Sequence, residues 1–175
     1  MAGTVEPELD STDGEAALGR LAADLDDAMV VVTAVAPDGR RSGCLVGFWT
    51  QCSIHPPRVL ACVSKANHTF PVAAEAPALA VHWLAEDERS LAELFGGETG
   101  DEVDKFERCR WRPGPAGVPV LDGVKGWISG TVVGRFDVGD HVAFVISAEA
   151  GADDEPAAEP LGFQTAKQIE PGHPA

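Results

Sequence analysis

Residues Met29 to Trp49 read MVVVTAVAPDGRRSGCLVGFW, and this run sets the expected architecture. Met29 to Ala36 is rich in β-branched side chains, which suit a pleated, half-buried surface. Pro37-Asp38-Gly39 is turn chemistry, since proline presets φ, aspartate bonds nearby backbone and glycine accepts a positive φ without steric cost. Arg41 to Trp49 then resumes as strand, so the whole run predicts a β-hairpin.

Downstream, Thr50 to His55 reads as loop, and Pro56-Pro57 marks its exit, because proline lacks the donor that a central strand needs. Arg58 to Val63 follows as a buried strand. Ser64 to His68 is short and polar, and Thr69 is placed to cap a brief helix through Glu75, stopped by Pro77. Ala78 to Leu84 returns as strand. Ser90 with Glu93 reads as a capping box opening a helix with the apolar stripe Leu91, Leu94 and Phe95, ended by Gly96-Gly97. Asp101 to Cys109 suggests one or two helical turns, and Pro113 to Pro119 reads as loop. Lys125 to Phe136 and His141 to Ala148 flank Asp137-Val138-Gly139-Asp140, a second hairpin signal. Gly151 to Pro160 is acidic and alanine-rich, as in a linker, and Leu161 to Ile169 is expected to add one short strand.

Upstream, Met1 to Gly14 is polar and acidic without apolar periodicity, as in a disordered leader. From Glu15, the positions Ala17, Leu18, Leu21, Ala22 and Leu25 recur at helical spacing as far as Asp27. The expected organisation is therefore a leader over 1–14, one domain over 15–150 and a tail over 151–175. The expected fold is mainly β, a six-stranded antiparallel barrel with short flanking helices.

The formal net charge of −15 argues against nucleic acid or an anionic membrane as partner. Its distribution is uneven. Between Gly39 and Ala74 there is no Asp or Glu, where an even spread would place roughly six. Arg40, Arg41, Arg58 and Lys65 lie inside that window with His55 and His68, which predicts an anion site there. No apolar run is long enough to cross a bilayer as a helix and no secretory signal is visible, so a soluble, cytoplasmic protein is expected. Cys44, Cys52, Cys62 and Cys109 carry no metal or disulfide spacing and are expected to be reduced, mostly buried thiols. The histidines show no metal-ligand pairing, and no metal is expected.

Dinucleotide and phosphate-loop glycine signatures are absent, as is a nucleophile elbow. What remains is two polar loops beside apolar strands, Gly47 to Ser53 and Ser64 to Thr69. Ser64, Lys65, Asn67, His68 and Thr69, with the backbone of a helix start, offer donors and a cation for a phosphate. Gly43 to Thr50 offers a strand edge with Phe48 and Trp49 nearby for a fused aromatic ring. The remaining tryptophans, Trp83, Trp111 and Trp127, read as packing, and His82 as a satisfied core histidine.

The ordered set Gly43-Cys-Leu-Val-Gly-Phe-Trp-Thr-Gln-Cys-Ser53, Ile54-His-Pro-Pro57, Ser64-Lys-Ala-Asn-His-Thr69, Ala80-Val-His-Trp-Leu84, Leu91-Ala-Glu-Leu-Phe95, Asp104-Lys105-Phe106 and Gly139-Asp140-His141 resembles the flavin reductase-like family of FMN-binding split barrels. These are the small reductase components of two-component monooxygenases, and the resemblance covers roughly Met29 to Glu149. It implies a Greek-key split barrel and a homodimer with FMN, or FAD, near the subunit interface. It further implies NADH or NADPH as reductant and a flavin-dependent monooxygenase as partner. On this basis Gly47, Phe48, Trp49, Thr50 and Gln51 would lie along the flavin ring, and Ser64, Lys65, Asn67, His68 and Thr69 would hold the phosphate. Lys105 and Phe106 would approach the same pocket, and His141 would be the catalytic residue facing the nicotinamide. The chain departs from the pattern at Gly47-Phe48, where the family has Asn-Ser, and at Asn67, where it commonly has Ser. Barrel shape does not select a cofactor, so a flavin carrier without reductase activity, or a relative using another cofactor, fits the same fold.

Overall fold

The computed structural model describes residues 11–172. In chain order the elements are α1 (Ser11–Ala23), β1 (Val30–Val35), β2 (Arg41–Val46), β3 (Trp49–Ser53), β4 (Arg58–Ser64), α2 (Thr69–Glu75), β5 (Ala78–Trp83), α3 (Arg89–Gly97), β6 (Trp111–Pro113), β7 (Pro119–Leu121), β8 (Gly126–Asp137), β9 (His141–Ser147), β10 (Ala150–Asp153) and α4 (Phe163–Ala166). No helix among the described residues is long and apolar enough to cross a membrane.

The expected first hairpin forms, with Val30 opposite Val46 and Val35 opposite Arg41. So does the second, β8 with β9, whose turn is closed by Gly139 at φ 120°. The main sheet is antiparallel and follows the order β2-β1-β5-β8-β9-β4-β3, with β10 added along β8. β2 and β3 occupy the two ends of this path yet are consecutive in the chain, so the sheet curls and Gly47 and Phe48 bridge its two edges. The Cys62 amide donates to the Phe48 carbonyl (2.9 Å) at that crossing.

Both faces of β1 are buried, which explains why its residues are apolar except Thr33, whose hydroxyl donates to the Pro119 carbonyl (2.6 Å). Val30, Val32 and Ala34 pack inside the curl against Val46, Val63, Val81, Phe144 and Ile146. Met29 and Val31 face outward into a second cluster with Phe95, Phe106, Leu121 and Leu161, which seats α3 and the segment after it. His82 ties the two layers together: its Nδ1 donates to the Val31 carbonyl (3.0 Å) and its Nε2 accepts from the Leu121 amide (3.1 Å). The expected satisfied core histidine is therefore present, as the neutral Nδ1–H tautomer.

The strand count differs from the expected six. Seven strands lie along the path and β10 is an eighth. The run Arg41 to Trp49 breaks at Gly47-Phe48, and the polar residues Thr50 to Ser53, expected as loop, continue as edge strand β3, which pairs with β4. Ala150 to Asp153, expected largely as linker, pairs with Gly126 to Ser129 through backbone alone. Pro113 and Pro119, expected to bound a loop, sit opposite each other in the short β6–β7 hairpin.

Helix boundaries shift as well. α1 begins at Ser11 rather than Glu15, while the expected leader over 1–10 lies outside the described residues. Glu88, not Ser90, is the N-cap of α3, and Glu93 pairs with Arg89 (2.9 Å) instead of closing a capping box. The expected last strand is the short helix α4, and Leu161, Ala166 and Ile169 in and around it pack into the outer cluster. Of the cysteines only Cys44 is buried; Cys62 and Cys109 are half-buried and Cys52 is exposed.

Candidate functional site

A cavity of about 520 Å³ opens beside the β2–β3 crossing. Its floor is β2 and the crossing itself, Cys44 to Phe48. One wall is Cys62 and Ser64 from β4, with Asn67 beyond, and His141 stands at the start of β9. The other wall is helical, formed by Gly19, Ala22 and Ala23 of α1, with Leu25, Met29 and Phe163. The lining is mainly apolar; Ser64, Asn67 and His141 form its polar end, and Asp27, shared with the neighbouring cavity, adds a carboxylate. Ser64 and His141 are directly opposite in the β4–β9 ladder, which fixes that end of the cavity. His141 meets Phe48 edge to face, 5.4 Å between centroids, and its Nδ1 bonds the Asp140 carboxylate at 2.7 Å. That bond holds the Asp140 carboxyl below its ordinary pKa.

Five expected site residues thus converge here: Gly47, Phe48, Ser64, Asn67 and His141. The others go elsewhere, for identifiable reasons. Trp49, Thr50 and Gln51 follow the break after β2 onto β3 and line a separate cavity. The Lys65 ammonium bonds the Asp137 carboxylate (2.8 Å) and the Gly139 carbonyl (2.6 Å), clamping the β8–β9 turn. Thr69 is buried, its hydroxyl shared with Ser42 (2.9 Å) and its amide donated to Asn67 Oδ1 (2.8 Å), so the start of α2 is satisfied internally.

His68, Lys105 and Phe106 border a third, polar cavity of about 300 Å³ with Arg41, Ser42 and the loop Gly100 to Asp104. His68 pairs there with Asp101 (2.8 Å). Lys105 is buried, donating to the carbonyls of Phe95 (3.0 Å) and Gly43 (3.3 Å), and desolvation pushes its pKa down. Phe106 is core, edge to face with Phe95 and Trp111. This cavity and the apolar one are adjacent along the chain, since Ser42-Gly43 and His68 line one and Cys44 and Asn67 the other.

Sequence reasoning missed Met29, Cys62, Phe163 and the α1 wall. The small residues Gly19, Ala22 and Ala23, spaced to lie on one helical face, were the available signal.

A planar, fused-ring group fits this cavity. The lining is apolar, the floor crosses at Gly47, where an added Cβ would come no closer than 3.4 Å to Met29 Sδ, and β2 is an edge strand whose outward backbone groups have no ladder partner. A sequence profile of the flavin reductase like domain matches residues 23–170. The chain belongs to the flavin reductase like domain family.

Among curated relatives, the FMN reductase (NADH) RutF of Methylorubrum extorquens is 31% identical over 136 residues, 78% of this chain and 63% of the relative. The flavin-dependent monooxygenase reductase subunit HsaB of Mycobacterium tuberculosis is 32% identical over 119 residues, 66% of this chain and 62% of the relative. The chain thus spans a little under two thirds of the length of these curated relatives. Among solved structures, the NADH:FAD oxidoreductase SgcE6 of Streptomyces globisporus superposes with a TM-score of 0.76 at 25% identity, covering 93% of both chains.

Proposed function

We propose that the chain is an NAD(P)H:flavin oxidoreductase that binds FMN, or FAD, in the cavity between β2 and β4 and supplies reduced flavin to a flavin-dependent monooxygenase. The observation that carries this reading is the apolar cavity at the β2–β3 crossing, with Ser64, Asn67 and His141 gathered at one end. The curated names of the relatives, an NADH-dependent FMN reductase and a monooxygenase reductase subunit, support the same activity and partner.

When bound, the flavin supplies the redox chemistry, accepting hydride from reduced nicotinamide. The chain's own residues position and shield. Cys44 to Phe48 give the ring a flat wall, with backbone groups of the β2 edge in place of the side chains that Gly47 and Phe48 do not offer. Ser64 and Asn67 receive the ribityl phosphate, with buried Lys105 adding positive potential behind Gly43. His141, oriented through Nδ1 by Asp140, presents Nε2 to the nicotinamide side as a hydrogen-bonding group.

Leu25, Phe48 and Phe163 both line the cavity and remain exposed, and Leu18 and Leu21 extend that apolar face along α1. A second copy of the chain covers this face, closing a split barrel of Greek-key connectivity over its cofactor in a cytoplasmic homodimer.

The test is absorbance of the purified protein in the flavin bands, followed by NADH and NADPH consumption with added FMN or FAD. Flavin binding with nicotinamide oxidation supports the reading. Flavin binding without oxidation would reduce it to a carrier, and neither would overturn it.

A further inference from the structure

Four bases sit in the acid-free window between Gly39 and Ala74, and three of them are answered within the fold. Arg40 pairs with Asp38 (2.6 Å) and Glu75 (2.8 Å), and Lys65 pairs with Asp137 (2.8 Å). Arg41 lies over the Trp111 ring at 4.8 Å. Arg58 is the exception. Among the described residues its guanidinium makes no hydrogen bond or ion pair, and its Nε is buried without an acceptor. A guanidinium left without an acceptor at a cavity wall costs free energy, which a ligand acceptor on its terminal nitrogens would recover.

Arg58 lines the separate cavity of about 680 Å³ that also contains Trp49 and Trp83. The two indoles meet at 86° with centroids 5.1 Å apart, forming a corner of two aromatic surfaces. Trp49 is fixed there by its Nε1 bond to the Ala28 carbonyl at 2.5 Å. Thr50 and Gln51 of the β3 edge add polar groups, and Asp27 stands in the same lining.

We propose that this cavity binds a small aromatic carboxylate. The guanidinium fork matches a carboxylate through two parallel charge-assisted hydrogen bonds from its terminal nitrogens. The ring then lies against the Trp49–Trp83 corner, where a flat apolar body makes offset or edge-to-face contact. Charge count favours a carboxylate over a nucleotide phosphate: the lining holds one cation and one acid, so Arg58 can answer a single negative charge, while a multiply charged phosphate chain is opposed by Asp27. The site does not depend on the flavin reading.

The test is calorimetry and tryptophan fluorescence on the full chain without added flavin, titrated with benzoate, benzyl alcohol and AMP. Benzoate is expected to bind one site and alter tryptophan emission, with benzyl alcohol at least about tenfold weaker. Arg58→Gln is expected to weaken benzoate by about tenfold or more, and Arg58→Lys, which keeps the charge and loses the fork, by less. Equal binding of benzoate and benzyl alcohol, benzoate binding unchanged in Arg58→Gln, absence of benzoate binding, or tighter binding of AMP at this site would each overturn the proposal. The ligand comparisons use the unmodified protein, so they decide the matter even if Arg58→Gln fails to fold, and FMN binding measured in parallel keeps the two readings distinct.

Discussion

The Lys65 ammonium lies 2.8 Å from the Asp137 carboxylate and 2.6 Å from the Gly139 carbonyl, joining the loop after β4 to the turn that precedes His141. Lys65 is therefore a brace for the His141 end of the cavity. Its backbone does the same, since the Lys65 amide donates to the Asp140 carbonyl (2.9 Å).

The first prediction concerns this brace. Lys65→Gln should weaken FMN and riboflavin by similar, small factors, because the lost contact shapes the cavity and does not touch a phosphate. Parallel titrations of the two flavins check it. A loss confined to FMN would put the ammonium on the phosphate after all.

A second prediction follows from His82, whose full burial, with the nearby Arg112 charge, lowers its pKa from 6.5 to about 4. Between those values the unfolded chain binds a proton that the folded chain refuses, so stability is full above pH 6.5 and falls as pH drops toward 4. The loss amounts to about 3 kcal/mol by linkage. Urea unfolding at pH 7.5 and pH 4.5 should show this slope, and His82→Leu should flatten it.

Gly130 gives a third. A Cβ there would stand 1.6 Å from the Ser147 carbonyl oxygen, a backbone atom that cannot swing aside. Gly130→Ala should therefore destabilise by about 3 kcal/mol or more, at the upper end of overpacking costs. Thermal unfolding reads it directly, and a melting temperature close to that of the unmodified protein would show that β8 can separate from Ser147.

Much of this architecture was legible in the sequence, because β1, β2, β8 and β9 combine apolar side chains with marked turns. The missed strands lack that signal. Thr50 to Cys52 is exposed on an edge, and Ala150 to Asp153 pairs through backbone alone, so neither carries alternation for a side-chain argument to find. Ser64, Asn67 and His141 were legible as polar residues beside buried strands, and they line the same cavity. That Trp49 to Gln51 line a different cavity was not legible, because the chain breaks at Gly47-Phe48 and a bend at a sheet edge leaves no periodic trace. The pairing of Lys65 with Asp137 was not legible because the two are 72 residues apart in the chain.

The central claim is that the flavin ring occupies the cavity between β2 and β4, and Cys62 is the wall residue that tests it most directly. The measurement is quenching of flavin fluorescence on titration of FMN with the unmodified chain and with Cys62→Phe, whose ring would fill the cavity. The account predicts binding to the former and a loss of at least about tenfold in the latter, with the variant still cooperatively folded. Equal FMN affinity for the two proteins would contradict it.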